Sequence, residues 1–292
     1  MIKNHKYVII GGTTKAGTTS LFNYLKDHPE ICPSTYKETR FFINKNYPIK
    51  IPTNFHISNG IEEYENFFKH CKDDKIRMEA TPDYLYSENT AKWIYENLPN
   101  SKIIFILRNP IDRLISWYRF AKQNNFLNKD VSFEDYINMQ IKNNKKDKQY
   151  LLALEQGKYS KYLQSYIDLF GEDRILVIQF EDLTKNPLST MKKISNFIGI
   201  DPNFYNNYNF EVFNKTVDLK YPKIHEIYKN FRFSIKKYTH NKPLIQKSLG
   251  FLRKNFDSIY YKINRQQNRN FRIEIKTKEF LKEYYKEDKN NN

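Results

Sequence analysis

Short apolar runs alternate with amphipathic stretches along most of the chain. Runs rich in isoleucine, valine and phenylalanine predict buried β-strands, at Tyr7–Ile10, Ile76–Ala80, Ile103–Leu107 and Ile175–Phe180. Apolar residues at helical spacing predict helices between and after these runs, at Thr18–Asp27, Ser87–Asn97, Pro110–Ala121, Ser132–Ile141, Lys158–Phe170 and Pro187–Ile198. Strands that alternate with helices favour an α/β fold, with a central parallel β-sheet flanked by helices on both faces.

The strand pattern fades towards the C-terminus. The segment Phe213–Leu249 is basic and aromatic, and Thr277–Glu287 predicts one further amphipathic helix. We therefore expect a single domain over residues 1–292. Its core would span about residues 5–205, and the part from about residue 206 to 292 would pack on that core.

The composition supports a folded chain with an anionic partner. Aromatic residues make up 16% of the 292 residues, which is enough for a sizeable core and excludes disorder of the whole chain. Lysine and arginine number 49 against 33 aspartate and glutamate residues, which gives a formal net charge of +16. This charge is compatible with nucleic acid, a membrane surface, or a ligand that carries phosphate or sulfate. Because lysine is abundant along the whole chain, a general compositional bias explains the excess equally well.

The sequence indicates a cytoplasmic protein without a transmembrane segment. No apolar run approaches the roughly 18 residues of a membrane span. The polar start Met1–Lys6 is unlike a signal peptide. The two cysteines, Cys32 and Cys71, do not make up a disulfide framework of the kind found in small secreted domains. We expect them to be unrelated buried thiols.

A glycine-rich loop follows the first predicted strand. Three of the 8 glycines of the chain lie among residues 11–17, immediately before the predicted helix Thr18–Asp27. Glycines let backbone amides approach a ligand closely, and a helix start adds free N–H groups and the positive end of the helix dipole. The hydroxyls of Thr18, Thr19 and Ser20 add further donors. The loop therefore predicts a site for a tetrahedral anion.

A second anion site is predicted at the end of another strand. The strand Ile103–Leu107 is followed by Arg108, and a helix begins near Pro110 and carries Ser116. Ligands of open α/β sheets lie beyond the carboxyl ends of the strands. An arginine at that edge can hold a phosphate through two parallel hydrogen bonds.

Two other functional classes compete with these anion sites. The spacing from Gly12 to Gly17 matches the start of a nucleoside-triphosphate loop, which makes a kinase or NTPase one alternative. In such loops a lysine follows the last glycine, whereas here Thr18 follows Gly17 and Lys15 lies inside the loop. A non-enzymatic nucleic-acid-binding protein is the less favoured alternative. We expect no nucleic-acid partner, because basic residues are dispersed and aromatics occupy positions typical of a core.

Together the two anion elements resemble those of sulfotransferases that use 3′-phosphoadenosine 5′-phosphosulfate (PAPS). Thr13–Leu21 resembles their 5′-phosphosulfate loop, and Arg108–Tyr118 resembles their 3′-phosphate element. The resemblance extends from about Tyr7 to Tyr205, and it includes the segments Glu79–Tyr84, Gly157–Tyr159 and Phe180–Leu183, with Phe213–Thr216 beyond it. It implies a P-loop-like sulfotransferase fold and PAPS as the donor co-substrate. No metal is expected, because the sequence lacks a cluster of typical metal ligands.

Within this family, Lys37–Phe42 resembles the branch of heparan sulfate sulfotransferases and their bacterial relatives. In that branch a glutamate before two aromatic residues is the catalytic base, which implies this role for Glu38. The acceptor is then expected to be a hydroxyl or amine of a glycan. Some members of the branch carry a lysine where this chain has Ala80, so that one cation near the acceptor is absent here.

The resemblance also implies which residues act on the donor. Lys15 would be catalytic, since it can stabilise the charge that develops on the bridging oxygen as the nucleotide leaves. The expected donor-binding residues are Thr14, Lys15, Ala16, Gly17, Thr18, Thr19, Ser20, Arg108, Ser116, Tyr159, Asn214 and Lys215.

Overall fold

A parallel β-sheet forms the centre of the protein. The computed structural model describes residues 5–51, 55–142, 147–213, 224, 228 and 273–289. The strands in these residues are β1 (Tyr7–Gly12), β2 (Ile31–Pro33), β3 (Ile76–Ala80), β4 (Ser101–Leu107) and β5 (Ile175–Gln179). They form one parallel sheet in the order β2-β3-β1-β4-β5. The predicted α/β fold is confirmed, and β2 is the strand that the sequence pattern missed.

Helices connect the strands. They are α1 (Thr18–Lys26), α2 (Glu62–Glu65), α3 (Thr90–Asn97), α4 (Pro110–Gln123), α5 (Phe133–Ile141), α6 (Ser160–Phe170), α7 (Phe180–Lys185), α8 (Pro187–Ile198), α9 (Ile275–Tyr284) and α10 (Lys286–Lys289). Local sequence explains several of their ends. The Asn109 side chain accepts hydrogen bonds from the backbone N–H groups of Ile111 and Asp112 at the start of α4, and Pro110 is its first residue. The helix α8 ends at Gly199, whose φ of 82° favours glycine.

The two faces of the sheet are covered by different helices. Along β1, Tyr7 and Ile9 join an apolar cluster that includes residues of α3 and α6. Val8 and Ile10 point to the other face and join a cluster with residues of α1 and α8. Strands buried on both faces are apolar throughout, which explains why the sequence reads as short continuous apolar runs. Polar ligands can then reach this sheet only at the strand ends.

The C-terminal helix packs on the core. Leu281 and Tyr285, at the end of α9, are buried in an apolar cluster with residues of α4 and α5. The Asp288 carboxylate accepts hydrogen bonds from the backbone N–H groups of Tyr159 (2.8 Å) and Ser160 (3.0 Å) at the start of α6. A carboxylate at a helix N-terminus is electrostatically favourable. Because most of residues 214–272 lie outside the described ranges, the single domain over the whole chain stays a prediction.

The two cysteines form a disulfide, so the expectation of unrelated thiols is wrong. Cys32 of β2 is bonded to Cys71, 39 residues later, with a Cα–Cα distance of 5.8 Å. The pairing could not be predicted, because neither cysteine lies in a predicted element. Disulfides persist mainly in oxidising compartments. The bond therefore weighs against the predicted cytoplasmic location, which stays a prediction. Among the residues that the structure describes, no helix is both long and apolar enough to cross a bilayer.

Candidate active site

A cleft of about 960 Å³ lies beyond the carboxyl ends of β1 and β4. It is lined by most of the residues that the sequence predicts for the donor, namely Thr14, Lys15, Gly17, Thr18, Thr19, Ser20, Arg108 and Ser116. The predicted base, Glu38, lines the same cleft. The fold therefore brings the two predicted anion elements and the predicted base to one place.

The loop between β1 and α1 is held in a fixed shape. Lys15 and Gly17 both have left-handed backbone conformations, with φ of 69° and 86°. A Cβ atom on Gly17 would lie 2.8 Å from a ring carbon of Phe180, so that a glycine is required there for two reasons. The indole N–H of Trp117 donates to the Thr14 hydroxyl at 3.1 Å and ties the loop to α4. Consecutive N–H groups in such a loop form a concave site for an anion.

Lys15 is the cation within this loop. Its ammonium lies 4.4 Å from the centroid of the Phe120 ring. Burial, together with the neighbouring Arg108, lowers the pKa of Lys15 to about 8. Both effects disfavour the charged form of Lys15, whereas a bound anion would favour it and raise the pKa.

Arg108 is the second cation of the cleft. One guanidinium N–H group donates to the Lys15 carbonyl at 3.2 Å, and the guanidinium lies 4.8 Å from the Phe180 ring centroid. Its Nε is buried and has no hydrogen-bond partner among the described residues. Within the described residues, neither Lys15 nor Arg108 forms an ion pair with a carboxylate. Two cations at one cleft, one of them with an unsatisfied buried donor, fit an anionic ligand.

Some predicted donor residues do not line the cleft. Tyr159 is buried, and its hydroxyl donates to the Arg108 carbonyl at 2.8 Å. It therefore fixes the backbone of Arg108 without lining the cleft. Ala16 is buried, and its N–H donates to the Thr13 carbonyl within the loop. Asn214 and Lys215 lie outside the described residues.

Glu38 lines the same cleft and lies between two cations. Its carboxylate accepts hydrogen bonds from the Lys37 ammonium (3.3 Å) and from the Arg40 guanidinium (3.0 Å). The same Lys37 ammonium donates to the hydroxyl of Thr18 at 3.4 Å. Lys37 therefore connects the start of α1, where the donor is expected, with the predicted base.

A buried carboxylate fixes the backbone that carries Glu38. Glu79 of β3 accepts hydrogen bonds from the hydroxyls of Tyr84 (2.7 Å), Thr81 (2.8 Å) and Tyr64 (3.1 Å), and from the Thr39 N–H at 3.4 Å. Burial raises the pKa of Glu79, and these hydrogen bonds act in the opposite direction. The network holds Thr39, the residue next to Glu38, in place. The Glu79–Tyr84 segment alone could not reveal this contact from the sequence.

Sequence reasoning also missed Asp83 as a member of the site. Asp83 lies in a short 3₁₀ turn (Pro82–Leu85) after β3 and lines the same cleft as Glu38. Its Oδ1 accepts hydrogen bonds from the Tyr47 hydroxyl (2.8 Å) and from the Gln149 side-chain amide (2.6 Å). Burial raises the pKa of Asp83 to about 6. The motif contains this aspartate, but its surroundings come from distant parts of the chain.

Among the described residues, one group has atoms close enough to share a metal ion, and it consists of Cys32, His70 and Cys71. The two sulfurs are joined in the disulfide, and none of these residues lines the cleft. The loop and Arg108 provide cations and hydroxyls to the cleft, which suit an anion.

Comparison with known proteins places the chain in a family. The sulfotransferase domain model matches residues 5–281, and the protein therefore belongs to the sulfotransferase domain family. Residues 5–281 include both anion elements, Glu38 and Asp83. The identification as a sulfotransferase made from the loop, Arg108 and Glu38 is confirmed.

Individual relatives agree with this family and with the expected branch. The human bifunctional heparan sulfate N-deacetylase/N-sulfotransferase 2 is 28% identical over 216 residues, which cover 68% of this chain and 22% of that protein. The membrane-associated sulfotransferase kil1 of Dictyostelium discoideum is 36% identical over 136 residues, covering 44% of this chain and 26% of that protein. The chain thus spans only about a quarter of the length that these relatives have.

A solved structure has the same fold. The crystal structure of a sulfotransferase from Alicyclobacillus acidocaldarius aligns with a TM-score of 0.61 and 24% sequence identity. The alignment covers 79% of this chain and 92% of that one. The predicted P-loop-like sulfotransferase fold is confirmed by this similarity.

Proposed function

We propose that the protein transfers a sulfuryl group from PAPS to a hydroxyl or amine of a glycan. The observation that carries this proposal is one cleft lined by the carboxylate of Glu38 and by two cations, Lys15 and Arg108, that form no ion pair with a carboxylate among the described residues. Membership of the sulfotransferase family supports the type of reaction. The relatives named as heparan sulfate sulfotransferases support a glycan as the acceptor.

The residues of the cleft suit the two anionic ends of the donor. The N–H groups of the loop, the Lys15 ammonium and the hydroxyls at the start of α1 would hold the 5′-phosphosulfate. Arg108 and Ser116 would hold the 3′-phosphate, which ATP lacks, and the Arg108 Nε, which has no partner among the described residues, offers a donor for it. Tyr159 would act indirectly, because its hydroxyl fixes the Arg108 backbone. When bound, the donor supplies the sulfuryl group.

Two residues would assist the transfer itself. Glu38 accepts the proton of the attacking acceptor group, a role that typically contributes roughly 10²–10⁴ in rate. Lys15 and the loop amides stabilise negative charge on the oxygen that leaves with the nucleotide, and loss of such a donor typically costs roughly 10²–10³. The Lys37 ammonium donates hydrogen bonds to the Thr18 hydroxyl and to the Glu38 carboxylate, and so keeps these two groups close to each other.

Calorimetric titration with 3′-phosphoadenosine 5′-phosphate (PAP), compared with ATP and Mg²⁺, tests the donor assignment. We expect PAP to bind the protein and Arg108→Ala to weaken that binding by roughly 100-fold, since a charged hydrogen-bond pair is lost. Lys193 is an exposed cation that does not line the cleft, so the control variant Lys193→Met should bind PAP like the parent protein. Tight binding of ATP with Mg²⁺ and none of PAP would instead support the kinase alternative.

Transfer of ³⁵S-labelled sulfate from PAPS to a panel of glycans, lipids and phenols tests the reaction. Labelling of a glycan, together with a loss of roughly 10²–10⁴ in turnover for Glu38→Gln, is the expected result. The exposed carboxylate Glu172 provides the matched control Glu172→Gln. Full turnover of Glu38→Gln with every acceptor would refute its role as the base.

A further inference from the structure

We infer that a second cavity, separate from the cleft, is a binding site for a neutral compound that has an aromatic ring and a hydroxyl group. The cavity has a volume of about 790 Å³ and is lined by residues of α3, α6 and the short 3₁₀ turn Glu155–Gly157. This volume is typical of sites that hold small molecules. Among the described residues, none lines both the cavity and the cleft. The inference therefore goes beyond the proposed function and does not depend on it.

One buried amide oxygen in the wall of this cavity has no partner. Gln156 lines the cavity and is only 2% exposed, and its Oε1 forms no hydrogen bond with any described residue. Gln140, the other glutamine in the described wall, has both ends satisfied. Its Oε1 accepts from the Leu154 N–H at 2.7 Å, and its Nε2 donates to the Tyr136 carbonyl at 3.3 Å. Because buried polar groups nearly always have partners, the Gln156 oxygen marks a position for a ligand that donates a hydrogen bond.

The orientation of the Gln156 amide is fixed by its neighbours. The Tyr47 hydroxyl donates its hydrogen to the Asp83 carboxylate at 2.8 Å, because an ionised carboxylate can only accept. The Tyr47 oxygen is then left to accept, and the group that faces it is the Gln156 Nε2–H, at 2.8 Å. The reverse orientation of the amide would place two acceptors against each other. The Gln156 Oε1 therefore lies on the side of the amide away from Tyr47, where no described residue donates to it.

The wall of the cavity is largely aromatic and aliphatic. Tyr86 and Tyr166 are buried, and the rings of Tyr86 and Tyr162 are perpendicular to each other with their centroids 4.9 Å apart. Four leucines also line the cavity, namely Leu85, Leu151, Leu152 and Leu169. Aromatic rings pack against such side chains through edge-to-face and offset contacts. A ligand with an aromatic ring would therefore bury apolar surface here, which favours its binding.

The charges at the cavity favour a neutral ligand. Lysine and glutamate are equally frequent among the lining residues, which include Lys92, Lys161, Glu88 and Glu155. Lys161 forms an ion pair with Glu155, and the Lys92 ammonium lies 3.8 Å from the Glu96 carboxylate on the next turn of α3. Both lysines thus have a carboxylate partner, in contrast to the two cations of the cleft. This balance gives an anion no advantage over a neutral compound.

Two tyrosines connect the wall of the cavity with the cleft. Tyr47 lines the cavity, and its hydroxyl donates to Asp83, which lines the cleft. Tyr86 donates to the Gln156 carbonyl at 2.9 Å, and its hydroxyl also contacts the Thr13 hydroxyl in the loop before α1. A compound held by Gln156 would therefore lie against side chains that support both this loop and Asp83.

Binding of three related compounds to the protein saturated with PAP tests the inference. The probes are 2-naphthol, which is neutral and has a hydroxyl, naphthalene, which lacks the hydroxyl, and the 2-naphthoate anion. In equilibrium dialysis we expect 2-naphthol to bind, and 2-naphthoate to bind at least about tenfold more weakly. Absence of 2-naphthol binding would show that water satisfies the Gln156 oxygen, and it would overturn the inference, as would equal binding of 2-naphthoate. Failure of the protein to bind PAP would count against the proposed function and not against this site.

The variant Gln156→Leu tests the amide oxygen. The quantity to measure is the ratio of the dissociation constants of naphthalene and 2-naphthol, because this ratio isolates the contribution of the hydroxyl. It should fall by roughly tenfold in Gln156→Leu, since the hydrogen bond to Oε1 is lost. Gln164 is an exposed glutamine of α6 that does not line the cavity, so Gln164→Leu should keep the parent ratio. A parent-like ratio in Gln156→Leu would overturn the inference.

A second variant tests the location and leaves Gln156 in place. Ser165 is exposed on α6 and lines the cavity, so the indole ring in Ser165→Trp would occupy part of its volume. We expect Ser165→Trp to bind 2-naphthol at least about tenfold more weakly, and the control Gln164→Trp to bind it like the parent. Both variants should bind PAP normally. Parent-like binding of 2-naphthol to Ser165→Trp would show that the compound binds elsewhere, and would overturn the inference.

Discussion

Replacement of Asp83 by asparagine should make the protein more stable at neutral pH. Asp83 is only 4% exposed and has no cation paired with it among the described residues. Burial raises its pKa from 3.8 to about 6, which means that the folded protein disfavours the ionised form. Asparagine has a similar shape, and its side-chain oxygen can accept the same hydrogen bonds from Tyr47 and Gln149.

The size of the effect follows from the shift in pKa and depends on pH. A shift of about 2 units corresponds to about 3 kcal/mol, at 1.36 kcal/mol per unit. Below pH 3.8 the carboxyl is protonated in both the folded and the unfolded chain, and ionisation costs nothing. The cost grows as pH rises from 3.8 and is complete above about 6. Asp83→Asn should therefore be about 1 kcal/mol more stable at about pH 4.5 and about 3 kcal/mol more stable at about pH 7.5.

Urea unfolding at these two pH values measures the difference directly. At about pH 7.5 the melting temperature should also rise, by about 6–12 °C, since about 3 kcal/mol corresponds to about 2–4 °C per kcal/mol in a large domain. The exposed Asp130→Asn protein is the matched control and should show neither change. If Asp83→Asn unfolds more easily than the parent at neutral pH, or if its advantage is the same at both pH values, the reasoning from burial is wrong.

Three other predictions concern the donor loop and the disulfide. Because the pKa of Lys15 is about 8 and an anion favours the charged form, calorimetric PAP affinity should fall as pH rises through 8. In Lys15→Met that fall should be absent, and a parent-like fall there would contradict the assignment. Gly17→Ala should lose PAP binding while the fold, monitored by circular dichroism, is kept, since the new methyl group meets Phe180; undiminished binding would contradict the close packing. Reduction of the Cys32–Cys71 bond should lower the free energy of unfolding by about 4 kcal/mol, a value that follows from the length of the loop that the bond closes. PAP affinity should not change. Equal stability of the oxidised and reduced proteins in urea would argue against this bond.

Local sequence was sufficient to predict that the glycine-rich loop and Arg108 lie at one edge of the sheet. The loop from Thr13 to Gly17 and Arg108 each follow a strand directly, and parallel strands bring their carboxyl ends to one edge. The strand β2 was missed because three residues are too few to form a periodic pattern. The disulfide was missed with it, since one of its cysteines lies in that strand.

The acceptor end could not be predicted in the same way. The surroundings of Asp83 depend on Tyr47 and Gln149, which lie 36 and 66 residues away in the sequence. The hydrogen bonds that fix the neighbour of Glu38 come from Glu79, 40 residues away. Such contacts arise only when the chain is folded, and no local propensity encodes them. The motif pointed to the Glu79–Tyr84 segment, but it could not show what each member of the segment touches.

The Lys37 ammonium makes the two ends of the cleft interdependent. One nitrogen donates both to the Thr18 hydroxyl, on the donor side, and to the Glu38 carboxylate, on the acceptor side. An anion that settles beside Thr18 competes with Glu38 for that single positive charge. Binding of an anion beside Thr18 would thus change the electrostatic environment of the Glu38 carboxylate.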